Sequence, residues 1–217
     1  MSNPTAIHPT PDPAPDQALV AATRRWVDVA VIGLNLCPFA KAVQHKGLVH
    51  YAVSRAQTPQ QLLKDLAREL LALADLPAEQ RDTSLLIVPD MLRDFLDFND
   101  FLDEADALLE RLGLEGVLQI ADFHPQYQFA GTEPEDIANH TNRSPYPTLH
   151  LLREDSIAQA VQAVPDASAI FERNIATLEA LGLAGWQALG LGPADAATTP
   201  SADDADKPTP TAGPQQP

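Results

Sequence analysis

Three stretches of the chain carry side chains whose types and spacing suit chemistry. In NLCPFA, Cys37, the sole cysteine, stands between the end of a helical pattern and Pro38. A thiol acts as a nucleophile only when a cation, a helix N-terminus or a general base lowers its pKa. A helix C-terminus does the reverse, so His124 or His140 must reach Cys37, or an arginine must offset the field, if it reacts; otherwise it is a small buried hydrophobe. In DFHPQYQFAG, His124 leaves the end of a strand and Tyr127 follows within a turn. Histidine at such a rim has the pKa range for general acid/base work, or it ties the loop down by hydrogen bonds. The stretch NHTNRSPYPTLHLLRE holds His140, Asn142, Arg143, Ser144, Tyr146, His150 and Arg153. Its two arginines, with Asn and Ser donors and an aromatic ring, suit a carboxylate or phosphate on a small ligand. The competing reading pairs them with Glu133, Glu135, Asp136 or Glu154. His50 and His150 alternate with apolar residues and read as core histidines.

The elements that must position these groups follow from periodicity. Leu19, Val20, Val27, Ala30, Val31 and Leu34 recur at helical spacing from Ala18, and Pro38 bars continuation. LVHYAV after Gly47 reads as a strand. Thr58, Pro59 and Gln61 form an N-cap, a first-turn proline and a capping-box partner ahead of a leucine face from Leu62 to Leu73. SLLIVPD (84–90) is an apolar run of the kind found in a doubly covered strand. A helix is expected from about Asp97 to Leu112, stopped by Gly113, then a strand over Val117–Phe123. A long polar and aromatic segment runs from His124 to Pro147 with one helical turn after Thr132. A strand over Thr148–Glu154, a helix over Asp155–Ala163 and a last helix from Ala167 to Gly182 complete the chain. Such alternation predicts one α/β domain: a layered sheet of about four strands, partly parallel, flanked by helices, with the long loop ordered at one sheet end. Loops of that length inside a compact domain are usually functional.

The domain is expected over residues 18–191. Residues 1–17 and 192–217 are rich in Pro, Ala, Thr and Asp, hold few large apolar side chains, and read as disordered tails. No basic start precedes an apolar run and no stretch approaches the roughly eighteen apolar residues that span a bilayer, so a cytoplasmic location is expected. One cysteine fits a reducing compartment. Thirty acids against fourteen Lys and Arg leave a formal charge of −16, which repels nucleic-acid backbones and anionic lipid and argues against both partners. No glycine-rich phosphate loop, GxSxG elbow, HExxH helix or cysteine pair is present, so the sequence names neither a cofactor nor a metal. Cys37, His124 and His140 have no recognisable metal-ligand spacing, and one Cys-Pro pair says little about haem. CPFA is superficially similar to the Cys-Pro-Phe-Cys turn of glutaredoxins, but Ala40 replaces the second cysteine.

The phrases WVDVAVIGLNLCPFA from Trp26, LLIVPDMLRDFLDFNDFL, QIADFHPQYQFAG and NRSPYPTLHLLRE, in this order and over roughly Ala22 to Leu189, resemble the bacterial family called domain of unknown function 1415. The resemblance implies organisation rather than activity. It covers Cys37, His124, Tyr127, Asn142, Arg143, Ser144, Tyr146 and Arg153, the residues already singled out for their chemistry. Three functions stay open at this point. One is an enzyme on a small anionic or acyl substrate, with Cys37, His124, Tyr127 and His140 catalytic and Asn142, Arg143, Ser144, Tyr146 and Arg153 holding the ligand in one pocket. The second is a non-catalytic small-ligand, haem or metal-binding module, and the third a protein-interaction domain.

Overall fold

The computed structural model describes residues 13–163 and 169–193. Four strands form one sheet in the order β1-β2-β4-β3, with β1 Val49–Val53, β2 Thr83–Ile87, β3 Leu118–Phe123 and β4 Thr148–Arg153. β1 and β2 are parallel, and β4 runs antiparallel to both β2 and β3. The C-terminal ends of β1, β2 and β3 therefore share one rim with the start of β4. This is the expected α/β sheet, and the loop 124–147 lies on that rim.

Among the described residues six α-helices cover it: α1 Pro13–Trp26, α2 Ala40–His45, α3 Pro59–Asp75, α4 Phe95–Arg111, α5 Glu154–Ala163 and α6 Ile170–Ala188. Thr58 caps α3 by accepting from the Gln61 N–H, and the Gln61 side chain accepts from the N–H of Gln57, one residue earlier than in the usual capping box. The leucine face of α3 and Phe98, Phe101 and Ala105 of α4 pack on one sheet face against Leu86, Leu149 and Leu151. Each fully buried leucine there contributes on the order of 1.5–3 kcal/mol relative to exposure. Trp26, Val27, Ala30, Leu178 and Trp186 cover the opposite face around Leu85. There Thr83 donates its hydroxyl proton to the Leu151 carbonyl, so its oxygen accepts from Nε2–H of His150 at 2.8 Å. Burial of its ring pushes the His150 pKa down to about 4, so this half-buried histidine is neutral.

Three differences from the periodicity bear on the site. The first helix begins at Pro13, so residues 13–17 are not tail: Asp16 is held by Arg55, which also reaches Asp90 at the rim. It also widens into a π-helix over Val27–Ile32, with Gly33 N–H donating to Asp28 O at 3.1 Å. The β-branched run Val27, Val29, Val31, Ile32 crowds an α-helical turn, and Gly33 is required because an added Cβ would run into the Val29 carbonyl. Finally, α6 does not stop at Gly182. That residue takes φ 66° and ψ 171°, breaks the helix, and redirects a further segment to Ala188. The remaining tail residues, 1–12 and 194–217, lie outside those described. Among the described residues no helix is long and apolar enough to cross a membrane.

Candidate functional site

His124 is buried at the end of β3, between Phe95 and Phe98 of the α4 region. Nδ1 accepts from the Gln126 N–H at 3.0 Å, so Nε2 carries the proton and donates it to the Leu92 carbonyl at 3.0 Å. Burial lowers its pKa below the usual histidine value, with the Leu92 carbonyl and Asp94 opposing. Both ring nitrogens are thus committed to backbone groups, and the ring pins the loop after β2 rather than exchanging protons. Tyr127 continues the aromatic contacts from Phe95 to Phe129. Its phenol faces the Asp122 carboxyl and Asn142, and burial raises the pKa of both Tyr127 and Asp122. Asn142 closes the loop from both sides: its carbonyl accepts from the His124 N–H, and its side chain donates to the Asp122 carbonyl.

A cavity of about 210 Å³ opens beside this anchored loop, between the short 3₁₀ turn Ile137–Thr141 and the two tryptophans Trp26 and Trp186. Trp186 meets the His140 ring edge to face at 4.7 Å between centroids, and Trp26 meets Phe123 likewise at 5.0 Å. Pro125, Pro145, Leu191 and Pro193 add apolar wall; Arg143 and Ser144 add the polar side. Gly192 and Pro193, expected in the C-terminal tail, are part of this wall. Arg25 holds their approach by donating to the Leu189 carbonyl at 2.8 Å.

The polar groups of the cavity are unevenly satisfied. Arg143 donates from Nε to Tyr127 O at 3.0 Å and from Nη2 to Pro134 O at 2.6 Å, which fixes the guanidinium while Nη1 has no hydrogen-bond partner among the described residues. Ser144 donates its proton to Tyr146 O at 2.6 Å. Nδ1 of His140 and Nε1 of Trp26 are buried out of reach of solvent and have no hydrogen-bond partner among the described residues, on residues only 7% and 2% exposed. A buried donor left so costs about 1–3 kcal/mol. Burial, then the positive charge of Arg143, lowers the His140 pKa against the pull of the Ile137 carbonyl, so the ring is neutral at neutral pH. None of the lining residues is acidic, in a chain whose acids outnumber its bases two to one.

The sequence candidates therefore divide. His140, Arg143 and Ser144 meet in the cavity, while His124, Tyr127 and Asn142 build the loop beneath it. Tyr146 is buried, and its carbonyl accepts from Ser144 and Thr148. Arg153 stands at the other end of β4, on the opposite rim, where it donates to the carbonyls of Leu73, Leu76 and Arg81 and so caps the end of α3. It does not join the pocket. Cys37 lies in the turn between the π-helix and α2, outside the cavity wall. Burial pushes its thiol up, although the N–H groups of Phe39 and Ala40 oppose this. Asn174 of α6 fixes the same turn through the Leu36 carbonyl at 2.9 Å. Among the described residues no three His, Cys, Asp or Glu side chains converge as metal ligands. The two tryptophans are the residues that motif reading passes over; the available signal was that they are the only two in the chain.

Fold and site together define an α/β protein with a mixed four-stranded sheet and an aromatic cavity beside the rim loop. The family model described as Protein of unknown function (DUF1415) matches residues 18–188, and the chain belongs to that family. No curated protein and no solved structure matches it.

Proposed function

We propose that this domain binds a small organic anion in the Trp26/His140/Arg143/Trp186 cavity. The observation that carries the reading is the combination in one wall of a fixed guanidinium, two indole rings beside a neutral histidine, and no carboxylate. An arginine held on carbonyls is preorganised for an anionic guest, and little of its rotamer entropy remains to be lost on binding. At about 210 Å³ the cavity lies below the roughly 300–1,000 Å³ of pockets for drug-sized ligands, the scale of a small metabolite rather than a nucleotide. Binding without covalent chemistry fits better than acyl transfer, since Cys37 and His124 are engaged elsewhere and His140 is the one acid/base group in the wall. The reading places the protein in the cytoplasm, where its single thiol stays reduced and metabolite anions are abundant. It calls for no nucleic-acid or membrane partner, in keeping with the acidic charge.

The test is to purify the full chain gently, denature it and search the released small molecules by negative-ion mass spectrometry, alongside Arg143→Gln. An organic acid released from the wild type and absent from the variant is expected. The proposal fails if nothing is released and no organic acid in a broad panel raises the melting temperature.

A further inference from the structure

Resting on that reading, we infer that the guest is a singly charged carboxylate on an apolar body about the size of one ring, and not a phosphate. The argument is a count of donors and charges. Within the wall, Arg143 supplies the only positive side chain, and two of its nitrogens are already engaged at Tyr127 O and Pro134 O. The hydroxyl proton of Ser144 is committed to Tyr146 O. The His140 ring is neutral, so at most one of its nitrogens can donate. What remains is the free edge of one guanidinium.

A carboxylate, with two oxygens and one charge, matches that supply. A phosphate or phosphate monoester brings three terminal oxygens and close to two charges at neutral pH, which leaves one charge uncompensated in a half-enclosed site. The body of the protein adds to this penalty, because a chain of formal charge −16 repels a dianion more than a monoanion. The rest of the wall selects the other end of the guest. Two indoles, three prolines and Leu191 offer flat apolar surface and few polar groups, so a polyhydroxylated or zwitterionic acid would lose hydration without return. A cationic guest is excluded by the same inventory: the aromatic pair would suit it, but the guanidinium stands beside it and no acid lines the cavity.

The experiment is calorimetric titration of the full chain at neutral pH with three probes: benzoate, benzamide and inorganic phosphate. Benzoate is expected to bind, benzamide to bind about tenfold to a hundredfold more weakly through loss of one charge-assisted contact, and phosphate to give no saturable heat. Arg143→Gln should bring benzoate down to the level of benzamide. Because Arg143 also holds the loop, the comparison of benzoate with benzamide on the wild type stands even if that variant does not fold. Equal binding of benzoate and benzamide, or phosphate binding more tightly than benzoate, overturns this inference while leaving a ligand-binding cavity. Absence of binding by all three probes, and by the wider organic-acid panel, overturns the parent reading as well.

Discussion

Replacing His124 by alanine should unfold the rim rather than switch off a reaction. The ring is fully buried, wedged against Phe95 and Phe98, and its removal leaves a cavity of aromatic size. Such truncations cost about 3–5 kcal/mol, with the lower end apt here because Phe95 is itself only half-buried and can relax. Loss of the Nε2–H donor strands the Leu92 carbonyl, adding about 1 kcal/mol. Leu92 sits at φ 55°, a left-handed conformation that costs a non-glycine residue about 1–2 kcal/mol and that this hydrogen bond helps hold. The sum, about 4–5 kcal/mol, is a large share of the 5–15 kcal/mol typical of a domain. Urea unfolding followed by circular dichroism reads it directly. His124→Gln, which keeps a donor, should recover part of the loss. If His124→Ala kept wild-type stability and instead lost ligand binding or some activity, the assignment of His124 as a structural anchor would be wrong.

Gly33→Ala should destabilise the π-helix by about 3 kcal/mol, since its Cβ meets the Val29 carbonyl, whereas Gly113→Ala, at φ 67° with open space around it, should cost only about 1–2 kcal/mol; urea midpoints rank the two, and a reversed order would refute the close approach. Acid should weaken the fold through His150. Its folded pKa of about 4 lies below the ordinary histidine value of 6.5, so only the unfolded chain takes up a proton as pH falls through that window, and stability present above pH 6.5 declines by up to about 3 kcal/mol towards pH 4. His150→Gln should flatten that pH profile, and an unchanged slope would remove His150 as its source. Cys37, with its thiol pKa raised by burial, should react with iodoacetamide at neutral pH more slowly than glutathione does, and equal or faster labelling would return it to the catalytic candidates.

Local signals were the legible part of this chain. Thr58 and Pro59 announce α3 because capping is settled within one turn, and the apolar run from Leu85 to Val88 announces a strand covered on both faces. The long loop was legible as ordered because its aromatic residues need partners, and His124, Tyr127 and Phe129 find them. What the sequence could not show is pairing at a distance. Insertion of β4 between β2 and β3 depends on contacts across the whole chain. Arg143 and Arg153 look like neighbours, yet a six-residue strand at about 3.3 Å per residue carries Arg153 roughly 20 Å away to the other rim. The ring of His124 is satisfied by backbone groups, which no side-chain motif reveals. Gly182 reads as a helix stop, yet it is a kink, and the kink brings Trp186 over His140.

The central claim, an organic anion seated between Trp26 and Trp186, is tested most directly by nuclear magnetic resonance of the two indole N–H groups. They are the only tryptophans in the chain, so a ¹⁵N-labelled sample shows two such signals and both report on the cavity. Titration with benzoate should move both signals along one saturating curve, with the amides of His140, Arg143 and Ser144 following the same curve and the remote α3 amides staying still. Indole signals that stay fixed while benzoate saturates amides elsewhere, or that fail to respond to any organic acid in the panel, would contradict the account.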